Sequence, residues 1–247
     1  MAAQQEPEAW FSTWFDSPYY HILYQHRDMQ EAQLFMDRLL AYLHPKPHER
    51  ILDLACGKGR YSRYLSQKGY NVTGIDLSEQ SINYARQYEN ERLHFARHDM
   101  REVFRPNGFD FILNLFTSFG YFETDTENVV ALRATAESLQ PGGKLVIDFM
   151  NTEKVIDELV AEEEKQVGGI NFKITRGVEN GFIVKHIRFS DEGQEYTYVE
   201  RVRALRQEDF LEYFGMVQLR LVDTFGDYEL HPYNQEKSDR MIFVLKK

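Results

Sequence analysis

Asp53, Gly57, Gly59 and Asp76 lie in one stretch, ILDLACGKGRYSRYLSQKGYNVTGIDLS, residues 51–78, and their types and spacing point to ligand binding. The two glycines follow a short apolar run and precede a helical pattern. Glycine there lets the backbone turn tightly and lets a ligand approach with no Cβ in the way. The helix behind them points unpaired N–H groups at that ligand. A phosphate-binding loop would read G-x-x-x-x-G-K-[ST], but here Lys58 stands between the glycines. A dinucleotide loop would carry a third glycine where this chain has Ser62. Asp53, four residues before Gly57, would repel a pyrophosphate and suits a ligand with a positive group. Asp76, at the end of the next apolar run, can accept hydrogen bonds from two vicinal ribose hydroxyls, and its charge favours an unphosphorylated ribose.

The elements that must hold these residues alternate along the chain. Apolar runs at 51–55, 71–77, 93–97, 109–116 and 144–150 read as strands. Helical patterns at 61–67, 79–88 and 127–139 separate them, the last stopped by the turn QPGG. Strand–helix alternation of this kind predicts a parallel sheet with helices on both faces. Two helices precede it: a short one in the aromatic stretch 9–20, with Trp10, Phe11, Trp14 and Phe15 on one face and broken by Asp16-Ser17-Pro18, and a longer one at 28–43. After Asn151 the pattern changes. KVIDELVAEEEKQ reads as an amphipathic helix whose EEE run faces solvent. Three alternating runs separated by ENG and DEG then predict an antiparallel meander. A short helix at 207–214 and strands at 217–224 and 240–245 close the chain. The expected division is an N-terminal helical cap, 1–45, a core, 46–151 with 205–247, and an inserted antiparallel β subdomain, 152–204.

The bulk numbers narrow the function classes. At 247 residues the chain suits one elaborated domain or two small ones. A net charge of −10 argues against nucleic acid as the main partner, because phosphate binding needs a basic footprint. The single cysteine, Cys56, excludes an internal disulfide and fits a reducing compartment. No run reads as a leader or a membrane span. The expectation is a cytoplasmic protein with no membrane partner. The histidines show no metal-ligand spacing, so no metal is expected.

LDLACGKGRYS resembles the first motif of the class I S-adenosylmethionine-dependent methyltransferases, roughly [DE]-x-[AG]-x-G-x-G. In order along the chain, VTGIDLS, ARHDMRE, FDFILNLFTSFGYF, LQPGGKLVIDF and the closing FGDY…SDRMIFVLKK resemble that family's later segments. The resemblance covers residues 19–247 and implies an α/β fold, a Rossmann-like, mostly parallel seven-stranded sheet with helices on both faces. It implies S-adenosylmethionine as cofactor and S-adenosylhomocysteine as product. Asp53 would act through the ammonium or nearby waters, Asp76 on the ribose, and Asp99 with its apolar neighbour Met100 would frame the adenine; Ala55, Gly57, Gly59, Leu77, Asn114 and Phe116 are the further cofactor-binding candidates. Relatives close a helix over the cofactor, which makes Tyr20 and Arg27 candidates to touch it.

The acceptor side is less constrained. The nucleobase-amine enzymes of the family carry [DN]-P-P-[YF] where this chain reads N-L-F-T from Asn114, which weakens that substrate class. Thr117, Ser118, Phe119 and Tyr121 follow the fourth strand and are candidates to face the acceptor, with packing beneath the loop as the other role for Phe119. Tyr24, Tyr233 and Arg240 complete the substrate candidates. An amine acceptor needs only to be neutral, whereas a hydroxyl needs a base. His21 and His231 are the base candidates, and Tyr20 a proton relay. The resulting expectation is methyl transfer to a nitrogen or oxygen of a small-molecule acceptor, with a homodimer through the meander's edge. RNA or protein methylation, or cofactor binding without catalysis, are the alternatives.

Overall fold

The computed structural model describes residues 10–24 and 29–247. Arg27, a candidate cofactor contact, lies outside them. The chain divides into two compact units: Met1–Arg27 with Glu158–Ala204, and Asp28–Asp157 with Leu205–Lys247.

The larger unit holds α3 (Met29–Leu43), β1 (Arg50–Leu54), α4 (Arg60–Gln67), β2 (Asn71–Asp76), α5 (Glu79–Arg86), β3 (Leu93–Arg97), β4 (Phe109–Asn114), α6 (Asp125–Ser138), β5 (Leu139–Met150), α7 (Thr152–Asp157), α8 (Gln207–Met216), β10 (Arg220–Phe225) and β11 (Arg240–Lys246). Its seven strands order as β10-β11-β5-β4-β1-β2-β3. All neighbours are parallel except β11, which runs antiparallel to β5 and β10. The central strands are near-continuous apolar runs because helices cover both faces. β1 is buried at every position after Arg50. Phe35, Leu39, Ile51, Leu65, Ile82 and Val146 belong to one core cluster. Phe149, Phe210, Phe214 and Phe243 form another set of ring contacts.

The strand order reverses between β1 and β4. From β1 the chain proceeds to β2 and β3 on one side, then returns to place β4 on the other. Loops leaving β1 and β4 therefore diverge at the strands' C-terminal ends, where open α/β sheets bind ligands. This puts the glycine loop beside the turn that follows Asn114.

The smaller unit is a four-stranded antiparallel sheet, β6 (Glu162–Val167), β7 (Ile170–Glu179), β8 (Phe182–Asp191) and β9 (Gln194–Arg203), with α1 (Trp10–Asp16) and α2 (Pro18–Leu23). Trp14, Leu23, Phe172, Ile187 and Phe189 form its core. Ser17 caps α2 by accepting from Tyr19 N at 3.2 Å, and Pro18 opens that helix. The Pro that was expected only to end a helix therefore also begins one, because its fixed φ suits the first turn.

Two sequence expectations are corrected. The EEE run is strand, not helix: Glu163 pairs with Ile174 and Glu164 with Lys173 in the β6–β7 ladder. Gly168 and Gly169, both at positive φ, make the hairpin turn that fixes this register. Cross-strand partners then outweigh the helical preference of glutamate, as in the ion pair of Glu163 with Arg176 at 2.5 Å. QPGG is not a bare turn either. It lies within β5 as an irregularity, with Leu139 opposite Phe109 and Lys144 opposite Phe111.

Candidate functional site

The loop after β1 runs through left-handed residues Ala55, Gly57 and Gly59, at φ of 62°, 54° and 70°. Cys56 N donates to Ile75 O and Gly59 N to Cys56 O, each at 3.0 Å, so the loop is pinned to β2 and closed on itself. The glycines do different work. A Cβ on Gly59 would run into the Phe95 ring and the Ala85 side chain, so this position allows α4 to pack close to the sheet. A Cβ on Gly57 would meet nothing within 4 Å, so this position faces open space.

Two acids flank the loop. Asp76 accepts from Gly57 N and from Ser78 N, both at 2.8 Å, one on each carboxylate oxygen. Backbone donors thus fix the orientation of a group that offers about four acceptor sites. Asp53 is buried, and its Oδ2 accepts from Ser62 Oγ at 2.5 Å. Burial pushes its carboxyl up to about 6; the Ser62 hydrogen bond opposes the shift and the Asp76 charge adds to it. Burial also raises the Cys56 thiol well above its ordinary range, with both acids contributing, so this cysteine packs and does not ionise.

On the other side of the reversal, Asn114 donates from Nδ2 to Leu54 O at 3.2 Å and ties β4 to the start of the glycine loop. Its Oδ1 is buried with no hydrogen-bond partner. Phe116 and Thr117 follow, both non-glycine and both left-handed, at φ of 59° and 58°. The Phe116 ring stacks on Tyr61 of α4 at 4.5 Å and meets Tyr228 at 5.6 Å, and Tyr228 packs on Phe35 at 4.6 Å.

Asp148, fully buried in β5, organises this turn. Its Oδ2 accepts from Phe116 N at 2.8 Å and from Tyr228 OH at 3.3 Å, and its backbone oxygen from Thr117 N at 3.0 Å. Arg240 donates from Nε to Asp148 Oδ1 at 2.7 Å and from Nη2 to Thr117 Oγ1 at 2.8 Å. Burial opposes the Arg240 charge, but Asp148 more than compensates and holds the guanidinium above its usual range. Burial and the same acid push the Tyr228 phenol up, so it stays protonated.

The sequence candidates distribute unevenly over this frame. Asp53, Ala55, Gly57, Gly59, Asp76, Asn114, Phe116, Thr117 and Arg240 gather at the loops after β1, β2 and β4. Leu77 O accepts from Arg97 Nε at 3.1 Å. Asp99 is bound by Arg101 at 2.7 Å, which in turn reaches Glu127 at 3.2 Å. Burial alone would raise the Asp99 carboxyl, but Arg101 outweighs it and holds it low. Met100 beside it is half-buried. Ser118 Oγ donates to Leu115 O at 2.8 Å and Tyr121 OH donates to Thr117 O, so both brace the turn. Phe119 is buried and packs on Phe210 at 5.9 Å. His231 is exposed, with Nδ1 at 2.8 Å from Asp227 Oδ2. Tyr233 lines a recess with Asn151, Glu153 and Arg206. Tyr20, His21 and Tyr24 belong to the smaller unit. There Tyr20 contacts Trp14, Phe15, His21 and Tyr24, and Tyr24 OH donates to Glu200 at 2.7 Å.

Asp148, Tyr228 and Tyr61 were not among the sequence candidates. Asp148 carries a signal, an acid inside the apolar run LVIDF. Tyr61 opens the helical pattern 61–67, and no pattern marks Tyr228. Among the described residues no group of three or more His, Cys, Asp or Glu is placed to hold a metal ion. Among them, too, no helix is long and apolar enough to cross a membrane.

The donor set fits S-adenosylmethionine. Two carboxylates, an orphaned amide oxygen and an open glycine meet at the strand reversal, which suits a cationic nucleoside without phosphate. Residues 51–143 match the family model described as a methyltransferase domain. YqeM of Bacillus subtilis, named as a methyltransferase, is 29% identical over 211 residues, which is 80% of this chain and 84% of that one. The dTDP-3-amino-3,4,6-trideoxy-alpha-D-glucopyranose N,N-dimethyltransferase of Streptomyces venezuelae is 26% identical over 181 residues, 69% of this chain and 75% of its own. Among solved structures, an S-adenosylmethionine-dependent methyltransferase from Clostridium acetobutylicum superposes with a TM-score of 0.76 at 20% identity, covering 92% of this chain and 95% of that one. The sugar N-methyltransferase KedS8 from Streptoalloteichus gives 0.73 at 19% identity, covering 100% and 96%. The methyltransferase-domain match over residues 51–143, the sheet order and the acids around the glycine loop together indicate a class I, Rossmann-like, S-adenosylmethionine-dependent methyltransferase.

Proposed function

We propose that this enzyme methylates a small-molecule acceptor, at nitrogen or oxygen, with an amine nitrogen favoured. The observation that carries the cofactor half of the reading is the open glycine loop flanked by Asp53 and Asp76 at the strand reversal. When bound, S-adenosylmethionine supplies an electrophilic methyl group on a sulfonium. Asp76 receives the ribose hydroxyls. Asp53 compensates the ammonium, either directly or through water. Asn114 Oδ1 offers an acceptor to the same polar end. The Phe116–Thr117 turn walls the crevice, and its ring contacts with Tyr61 and Tyr228 keep water from the reacting centre. Orientation in line with the breaking bond is then the chain's main contribution.

The preference for nitrogen is supported by the activities named for the Streptomyces venezuelae relative and for KedS8. It is also supported by chemistry beside the turn. The Tyr228 phenol is held protonated and Asp148 is committed to Arg240, so neither serves as a base. A neutral amine needs none. The remaining parts of the reading are work in the cytoplasm, no nucleic-acid partner, and a homodimer through an edge of the small sheet, β6 or β9.

Calorimetric titration with S-adenosylmethionine and S-adenosylhomocysteine tests the cofactor half. A screen of amines against hydroxylated metabolites, read as S-adenosylhomocysteine release, tests the acceptor half. Micromolar binding with turnover on amines is the expected result. No binding of either ligand by folded protein would overturn the reading.

A further inference from the structure

Phe116 and Thr117 adopt the left-handed conformation in succession. L-residues with a Cβ avoid it, and two in a row persist only where the surroundings over-determine them. Here the constraint is explicit. Phe116 N and Thr117 N both donate to Asp148, one to its side chain and one to its backbone. Thr117 Oγ1 accepts from Arg240, whose Nε is bonded to the same Asp148. Tyr228 OH reaches the carboxylate from another direction and its ring packs on Phe116. The pair is bidentate in effect, one oxygen of Asp148 for Arg240 and the other for the turn. Asp148 and Arg240 are diagonal neighbours across the β5–β11 ladder, with Arg240 opposite Met150 and Ile242 opposite Asp148.

We infer that Asp148 and Arg240 form a positioning pair that holds Phe116 and Thr117 in their left-handed turn and so sets the wall of the cofactor crevice. Arg240, expected from the sequence to meet substrate, acts through the turn. This rests on the cofactor site proposed above. It adds that the crevice's shape depends on an ion pair formed by a strand outside the first five motifs. Without Arg240, Thr117 loses its side-chain anchor and Asp148 its counter-charge, and the turn is free to relax to right-handed backbone. Phe116 then leaves its stack on Tyr61.

The test measures S-adenosylhomocysteine affinity and thermal midpoint in four proteins: wild type, Arg240→Met, Arg240→Lys, and Arg240→Met combined with Thr117→Gly. Arg240→Met is expected to weaken binding by about 10- to 100-fold, the scale of a lost conformational constraint. Arg240→Lys keeps the charge beside Asp148 but not the planar fork that also reaches Thr117. It is expected to lose about 3- to 10-fold, and it carries the test if Arg240→Met does not fold. Glycine enters the left-handed region at no steric cost. The double variant should therefore recover most of the lost affinity while its thermal midpoint stays as low as that of Arg240→Met. Recovery of binding without recovery of stability separates positioning from mere structural support. Unchanged affinity in Arg240→Met, or a loss that glycine does not restore and that tracks the midpoint, would overturn the inference. A wild-type protein that binds neither S-adenosylhomocysteine nor S-adenosylmethionine would instead overturn the cofactor reading.

Discussion

Asp53 and Asp76 are both carboxylates beside one glycine loop, yet their surroundings give them different chemistry. Asp76 is oriented by two backbone N–H donors, and its replacement by alanine removes the loop's anchor and, on the proposed function, the ribose acceptor. Asp76→Ala is expected to reduce S-adenosylmethionine affinity by at least ~100-fold, about 2.7 kcal/mol, read by calorimetry. Asp53 has a carboxyl raised from 3.8 to about 6, chiefly by burial. For an acid the raised value means that the folded state holds a proton the unfolded state has released. Its contribution to stability is full below pH 3.8 and is lost as the pH climbs to about 6. The shift of roughly two pH units corresponds to ~3 kcal/mol. If Asp53 compensates the cofactor's ammonium as proposed, the bound charge favours the ionised form and binding expels that proton. S-adenosylmethionine affinity should fall about 10-fold between pH 7 and pH 5, with proton release visible as a buffer-dependent heat. Asp53→Asn should flatten the profile. A pH-independent affinity in the wild type would refute the assignment.

At the scale of elements, the loops work because strands and helices approach closely behind them. Gly59 caps α4 in the left-handed region, and the space for a Cβ is filled by the Phe95 ring of β3. Gly59→Ala should cost about 2–4 kcal/mol, from overpacking together with the strained φ, and lower the urea midpoint correspondingly. In the smaller unit, Glu200 of β9 accepts from Trp14 of α1 and from Tyr24 just after α2, each at 2.7 Å, and pairs with Lys185 of β8 at 3.4 Å. One carboxylate thus joins two helices to two strands. Glu200→Ala leaves those donors without it and is expected to cost about 1–3 kcal/mol. Both tryptophans of the chain, Trp10 and Trp14, lie in this unit, so their fluorescence follows its unfolding. A thermal midpoint by fluorescence that matches wild type would show that the junction contributes nothing.

For the molecule as a whole, the division into two units separates tasks. The glycine loop, the acids and the positioning pair all belong to the larger unit, so ligand binding should stabilise that unit. S-adenosylhomocysteine at 100 times its dissociation constant should add about 2.7 kcal/mol. For a body of this size that raises its calorimetric transition by roughly 5–10 °C. A transition unmoved by saturating ligand would place binding elsewhere.

Sequence alone determined what is local. Runs of buried residues define strands because a parallel sheet covered on both faces needs them apolar throughout, and the Gly57–Gly59 spacing defines the loop because glycine enters the left-handed turn without a steric cost. The acids of β1 and β2 were legible from the same logic, Asp53 as a charge that interrupts an apolar run and Asp76 as one that ends a strand. Where local preference and long-range pairing disagreed, the sequence misled. Three glutamates that favour a helix lie in β6 because Gly168 and Gly169 turn the chain back onto β7. Tertiary structure alone decided the other wall of the site. Asp148 and Arg240 stand 92 residues apart and Asp148 and Tyr228 stand 80 apart. No period connects them. Only the antiparallel return of β11 beside β5 brings a buried acid, its counter-charge and a left-handed turn together, and there the cost of burying each charge is offset by the other.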